Sequence, residues 1–516
     1  MKTHALPVRG LRAKTLAVAV LVGAALCSPA GARDAKADAE AAKAAGEFLT
    51  AAVNDPNTAD IALLTLRMTG DADLLDLFVA YSAGKVKRYR ALAATALSEL
   101  KGDKAVAALL ERARGDPEMA IRSQALALLI QMKAVSAEQL TEAIKTDNDD
   151  VRYLAASGLV SAGRGQLTTD ALRLVTDTLQ KLTESADAST AGLARLGLLS
   201  LGRTDQLKPI AAAMSEPNAD PRVLTLMLTE IHEEKIAAAA ALAEKIAASP
   251  QQSDNIRLHA YKALAAISPD GPGKLLQAIE KSDRTVFRVY LFRMLARRDD
   301  AQEYVKALAH KKDAIAALAR FEMARAAADQ TSTKAAAQAV AYGHPIVVGH
   351  VLETVQQDLP KLGPKADCYV PVLLDIVRNT PKQTRELRRE QELSAWAAQL
   401  LGEIGTDKAL TGLKKLLGQR HGEPLRATVA GMLKTANPAA VKLLKPLLDS
   451  PYDEICSTAA LAMARKGDKD SIPVLGEVIA HAHRHRPSLV VLASWYTLKL
   501  LNQHQPVLKE IIKAVD

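Results

Sequence analysis

Three histidines at alternate positions, His481, His483 and His485 in the run HAHRHRP, are the side chains of this sequence best suited to a transition metal, because neutral imidazole favours such ions. Alternation on a helix end or loop points neighbouring rings to different sides, and Arg484 and Arg486 repel a cation. A closed zinc site needs about four converging ligands. We read the run as a basic loop facing solvent and expect no metal. The other chemistry-bearing clusters are cationic. Arg284, Arg288, Arg293, Arg297 and Arg298 could hold phosphate, but the five-residue step from Arg288 to Arg293 turns a helix by about 140°, so only Arg293, Arg297 and Arg298 form a candidate binding patch. Lys85, Lys87 and Arg88 form a second one. HExxH, P-loop, GxSxG and Cys-x-x-Cys motifs do not occur, so neither a catalytic residue nor a cofactor is expected.

The elements that must carry these residues are helices. Of 516 residues 49% are hydrophobic and only 3% aromatic, which suits thin layers of Ala and Leu better than one large core. Runs of β-branched residues of strand length are scarce. In 422–479 one helical hairpin is written twice. Leu425, Val429, Met432 and Leu433 form an apolar stripe, Asn437-Pro438 starts the next helix, and Val441, Leu444, Leu447 and Leu448 form its stripe. Trp396, Trp495 and Tyr496 fall within such stripes and are expected in the core.

An anchor recurs along the chain, an Arg followed by Ala three residues later and Leu seven later. Arg90, Arg122, Arg152 and Arg257 have both followers, while Arg288 and Arg426 keep the Leu. Arg222 begins a weaker copy, Arg195 and Arg320 degenerate ones, and Cys456, Ser394 and Leu489 stand at the anchor elsewhere. A fixed period of roughly 30 residues marks a helical solenoid, in which no hairpin can bury its stripe alone.

With Asp150-Val151-Arg152, Ala155, Ala156 and Leu159, with Asp116 before Ile121-Arg122, and with Leu448-Asp449 before Glu454-Ile455, the chain resembles the HEAT-repeat family, including its short HEAT-like, bilin-lyase-type form. The resemblance implies an all-α, right-handed α-solenoid, an ARM-like superhelix of about a dozen HEAT-like hairpins. It also implies a ladder between layers, made by Asp116, Asp150, Asp220, Asp254 and Asp283 with Arg122, Arg152, Arg222, Arg257 and Arg288. HEAT-like hydroxylases that bind iron use several His-Glu pairs, whereas His232-Glu233 stands by itself here.

The ends and boundaries read as follows. Lys2, Arg9, Arg12 and Lys14 precede a short apolar run at 15–26 and a small-x-small site at Ala30-Gly31-Ala32, so residues 1–32 are expected to be a signal peptide cleaved near Ala32. That expectation places the protein in the periplasm of a bacterial envelope or outside the cell. Membrane association is expected only with a lipid on Cys27, which the bulky Leu26 before it disfavours. Residues 33–45 are expected to form a frayed N-terminal helix or a linker, 46–329 an N-terminal array, 330–392 an irregular repeat and connection or, equally, a longer helix pair in an unbroken stack, and 393–516 a C-terminal array. Cys368 and Cys456, roughly two to three layers apart, are expected to be buried unpaired thiols, since a disulfide needs Cα atoms within about 7 Å.

Losing residues 1–32 removes four basic and no acidic groups and lowers the formal net charge from +9 to +5. That is modest for a nucleic-acid binder, and no nucleic acid is expected. The function expected is a non-enzymatic scaffold binding a protein partner on its inner face, lined by the second helix of each hairpin. A HEAT-like enzyme, lyase or metal-dependent, and a binder of nucleic acid or another anionic polymer are the alternatives.

Overall fold

The computed structural model describes residues 35–146, 148–161, 167–216, 219–379, 387–417, 429, 439–450 and 452–515. Residues 1–34 with Cys27, 422–428 and 430–438 with Arg426, and 382–386 lie outside them. Among the described residues the chain is all-α, without a sheet, and its helices stack as paired hairpins in the manner of a right-handed HEAT/ARM-like α-solenoid. Two compact units divide it. One is 106–351, and the other joins 1–105 with 352–516.

In the 106–351 unit the Arg-bearing helices make one continuous row. Met119–Gln131, Asp149–Ser161, Ala188–Ser200, Pro221–Glu233, Asp254–Ile267, Thr285–Ala296 and Ala314–Ala324 pack each on the next. Each also has a companion helix, such as Thr169–Leu182 or Gly271–Lys281. Short polar side chains start these helices by holding backbone N–H groups that would otherwise be orphaned. Asp187 accepts from Thr190, Ser253 from Ile256 and Asp313 from Ala316, while Asp220 is followed by Pro221 at the first helical position. A row helix meets apolar neighbours on several sides. Leu196, Leu224, Met227, Leu228, Ile256 and Leu264 accordingly share one continuous core.

The anchor arginine is explained by what its guanidinium touches. Arg90 donates to the carbonyls of Gly84 (3.2 Å) and Lys85 (2.9 Å), just past the helix Leu75–Ala83. Arg195 reaches Thr183 (2.9 Å), Arg257 reaches Ala247 (3.1 Å), Arg288 reaches Ile279 (3.0 Å) and Arg320 reaches Ala309 (2.8 Å). Each of these carbonyls ends the preceding helix, where backbone acceptors lack partners and the helix dipole favours a cation. Ser394, at the anchor place in Leu387–Ile404, makes the same kind of bond to Val377 at 3.4 Å. Replacing the buried Arg90 with Met should therefore cost about 1–3 kcal/mol, because two carbonyls lose their donor. Replacing exposed Arg88 should change the unfolding midpoint little, and thermal melts of the two variants check the contrast.

The ladder positions do not all pair as the family pattern implies. Arg257 lies 3.5 Å from Asp254, one turn away within its own helix and not across layers. Arg152 pairs with Asp149 (2.6 Å), and Asp150 faces the Thr190 hydroxyl (3.4 Å). Asp116 is fully buried, accepts from the Glu118 N–H at 2.9 Å and lies 3.8 Å from Arg112. Asp220 caps the Arg222 N–H at 2.7 Å. Arg288 reaches forward to Asp313 in the next hairpin at 2.7 Å. Between layers the pairing uses other residues as well, as in Arg284 with Asp254 (2.6 Å), Lys274 with Glu244 (2.6 Å) and Lys311 with Glu280 (2.9 Å).

The second unit is built from the two ends of the chain. The helix Ala35–Asn54 packs on Ile472–Ala480, Pro487–Leu500 and His504–Lys513, Ala59–Thr69 packs on Pro487–Leu500, and Leu75–Ala83 packs on His504–Lys513. This corrects the expectation of a frayed leader at 33–45. From Ala35 on the segment is helical, and Ala41 and Ala45 are buried because the last hairpins cover them. Gly46 sits where a Cβ would meet the Val507 side chain at 3.0 Å. Trp495 is wholly buried and donates to Asp71 at 3.2 Å. Within 330–392, expected to be irregular, Gln330–Val340, Pro345–Leu362 and Val370–Arg378 are regular helices, and Pro360 is accommodated inside the second. Cys368 and Cys456 are not joined in a disulfide, and both are part-exposed rather than buried.

Candidate functional site

Contacts across three layers show which side of the 106–351 unit is concave. The Tyr153 hydroxyl donates to Glu230 at 2.8 Å, and the Ser161 hydroxyl donates to Glu234 at 2.5 Å. Their helices, Asp149–Ser161 and Pro221–Glu233, lie on either side of Ala188–Ser200. Axes two layers apart in a straight stack would be separated by roughly 16–20 Å, which a Tyr and a Glu bridge only at full stretch along a straight line, and Ala188–Ser200 stands in that line. The row is therefore compressed on this side. Gly192 lets Ala188–Ser200 and Pro221–Glu233 pack closely, since a Cβ there would meet the Met227 sulfur at 2.9 Å. The concave side thus belongs to the Arg-bearing helices, the first of each hairpin, and not to the second helices as expected from sequence. The companions splay on the outer side.

Large apolar side chains stand exposed on this face among polar ones. Leu226, His259 and Tyr290 each stand six residues past their N-caps, Asp220, Ser253 and Arg284. In this register Leu226 is 46% exposed and Tyr290 40%, while Val286 one turn before Tyr290 is 46% exposed and Met323 on the next row helix 51%. Between Asp254–Ile267 and Thr285–Ala296 lies a groove of about 440 Å³, floored by Leu258, Phe287 and Met294 and walled by Val286 and Tyr290. Its rim carries His259 and Lys262. Burial and nearby Lys262 push His259 below its ordinary value, so it is neutral at pH 7.

The sequence-derived candidates distribute unevenly around this face. Arg293 lies with its guanidinium 5.7 Å from the Tyr290 ring centre. Burial and the adjacent Arg297 lower its pKa. Arg298 turns away to Asp300 (2.8 and 2.7 Å) and to the Ala265 carbonyl, a structural role. Lys85, Lys87 and Arg88 belong to the other unit. Arg88 there binds Asp60 (3.0 Å) and the Pro56 carbonyl (2.7 Å), and lies over the Tyr89 ring.

The three histidines follow the end of Ile472–Ala480. The His481 and His483 rings are 6.4 Å apart, and His481 faces Glu477 at 3.3 Å. Among the described residues no three His, Cys, Asp or Glu side chains assemble as a metal site. His232 is half-buried, and burial and Lys262 lower its pKa. Sequence reading missed Leu226, Val286, Tyr290 and Met323. The signal was present, since Val286 and Tyr290 lie off the stripe of Phe287, Leu291 and Leu295 that buries their helix.

No family profile matches the sequence, and no curated protein matches it. Solved structures do. One concerns Kap95p binding that induces the switch loops of RanGDP to adopt the GTP-bound conformation, with implications for nuclear import complex assembly (13% identity, TM-score 0.33, covering 78% of this chain and 56% of that one). Others are Kap121p (12%, 0.29, 98% and 55%) and importin β in an ammonium sulfate condition (13%, 0.31, 77% and 55%). The chain thus spans little more than half the length of these proteins. The HEAT/ARM-like solenoid stands on the helix stacking described above, and the finer likeness to the bilin-lyase-type repeat is not what these matches share. At such TM-scores they carry no argument about what the chain does. They do run against the expectation of a periplasmic or secreted protein of a bacterial envelope, because the process named among them is nuclear import. That expectation, with its signal-peptide reading, is withdrawn, and no location takes its place.

Proposed function

We propose that the protein is a non-enzymatic scaffold that binds a partner protein along the concave, Arg-bearing side of its 106–351 unit. The observation that carries this reading is the set of large apolar side chains, Leu226, Val286, Tyr290 and Met323, exposed on three of the row helices, Pro221–Glu233, Thr285–Ala296 and Ala314–Ala324. Single exposed apolar residues are ordinary. A contiguous series rimmed by polar groups marks an interaction surface. Stacked helices hold such a series rigidly, so a partner meets many weak contacts at fixed spacing without ordering the scaffold first.

Photo-crosslinkers at Leu226, Val286 and Met323, compared with outer positions Lys245, Lys281 and Lys306, test the reading in the source cells. Discrete crosslinked protein species are expected from the concave positions and not from the outer ones. Equal or reversed capture, or none from either side, would overturn it.

A further inference from the structure

We infer that the Tyr153–Glu230 and Ser161–Glu234 bonds form a pH-dependent strut: Glu230 in its neutral form holds Asp149–Ser161 and Pro221–Glu233 drawn together across Ala188–Ser200, and in its ionised form lets the concave side of the 106–351 unit open. This goes beyond the scaffold reading and stands without it. The geometry comes first. Both helices pack on Ala188–Ser200, and the two bonds reach past that helix to join residues 77 and 73 positions apart. Tyr153 is only 8% exposed, so its hydroxyl has little water to turn to if Glu230 withdraws. Leu226 lies one turn before Glu230 on the same helix, and a change at the strut therefore moves the exposed apolar side chains of the concave side relative to one another.

What Glu230 faces decides which form closes the strut. Its partners are the hydroxyls of Tyr153 and Ser157, and Glu233 and Glu234 on its own helix bring like charge. Positive groups on the packed helices are engaged elsewhere. Arg152 pairs with Asp149, Arg195 holds the Thr183 carbonyl, and Arg257 holds the Ala247 carbonyl. Lys262 acts on His232 and His259, and Lys235 on His232. A carboxylate accepts more strongly from Tyr153 than a neutral carboxyl does, which favours ionisation. Two hydroxyls, however, do not replace the water that a carboxylate gives up on burial. The second effect wins, since the group is pushed up to about 7 from its ordinary 4.5. Above that pH the carboxylate gains by reaching water, and it does so by leaving the seam that Tyr153 closes. The bend of a solenoid is the sum of small displacements between layers, so parting the strut relaxes it.

Double electron–electron resonance on the full chain, its native cysteines replaced by serine, tests this. Spin labels go at the exposed positions Lys181 and Lys245, on the outer companions Thr169–Leu182 and Ala240–Ala248. As the concave side opens the companions approach, so this distance is expected to shorten by about 1–2 Å between pH 5.5 and pH 8.5. Glu230→Gln cannot ionise and is expected to keep the longer distance at both pH values. Tyr153→Phe removes the donor and is expected to show the shorter distance at both; Glu230→Gln carries the test should this variant fail to fold. A second pair of labels at Lys281 and Lys306, away from the strut, is expected not to move.

A wild-type distance that stays the same or lengthens, a shift of the same size in Glu230→Gln, or an equal shift in the second pair would overturn the inference. Concave-side crosslinks obtained alongside such a result would leave the scaffold reading standing and reject only the strut.

Discussion

Trp495→Ala is expected to destabilise the unit formed by the chain ends by about 3–5 kcal/mol, the range for removing a fully buried large aromatic side chain. The indole fills the seam between the first and last hairpins. Its Nε1 donates to Asp71 at 3.2 Å, Lys499 reaches Asp71 at 3.2 Å and also binds Asp73, and His504 contacts Asp73 at 3.2 Å. The Trp495 and His504 rings meet edge to face at 5.8 Å. Asp73 is held below the ordinary carboxylate value, chiefly by its bond from Lys499. Removing the indole opens a cavity and strips one donor from this cluster.

Trp495→Phe keeps most of the volume and should cost less, about 1–2 kcal/mol for the lost hydrogen bond and the smaller ring. The check is hydrogen exchange read by mass spectrometry. Faster exchange is expected across Ala35–Asn54 and Ala59–Thr69 in the alanine variant, with the row helices of the 106–351 unit unchanged. Unaltered exchange in both N-terminal helices would mean that the chain ends do not pack in solution.

Glu230→Gln is expected to stabilise the protein above neutral pH, by on the order of 2–3 kcal/mol, and to change little near pH 5. Burial pushes the Glu230 carboxyl up to about 7 from its ordinary 4.5; the bond from Tyr153 opposes the rise, and Glu234 and Glu233 add to it. The folded protein therefore keeps this proton up to about pH 7, whereas the unfolded chain releases it near 4.5. Between those values the folded state binds more protons, so stability falls as pH rises, and the penalty is complete above 7. Glutamine retains an oxygen to accept from Tyr153 and carries no charge to desolvate. Denaturant titrations of both proteins at pH 5 and pH 8 check this. The gain should appear at pH 8 alone, and an equal effect at both pH values would refute it.

Both residues show how far the sequence could be read. Arg90, Arg122, Arg152 and Arg257, with their Ala and Leu followers, are local features, and they suffice for an all-α stack of hairpins because the buried face of each helix is fixed by its own spacing of apolar residues. The N-caps Asp187, Ser253 and Asp313 are equally local. The role of the anchor arginine was not legible. A helix-start Arg near a loop Asp suggests an ion pair, while the carbonyl it serves belongs to the end of the helix before it, and only folding brings the two together.

The sequence by itself determined the hairpin, its repeat and the apolar stripe that joins each layer to the next. Tertiary structure alone decided that Asp71 meets Trp495, since contacts separated by more than 400 residues leave no trace in any local period. It also decided which side is concave. Curvature accumulates from small displacements in every layer, and the absent Cβ at Gly192 bears on them only through the neighbour it admits, Met227. For that reason Val286 and Tyr290, two off-stripe apolar residues in the linear chain, become the walls of a groove once Asp254–Ile267 is stacked beside them.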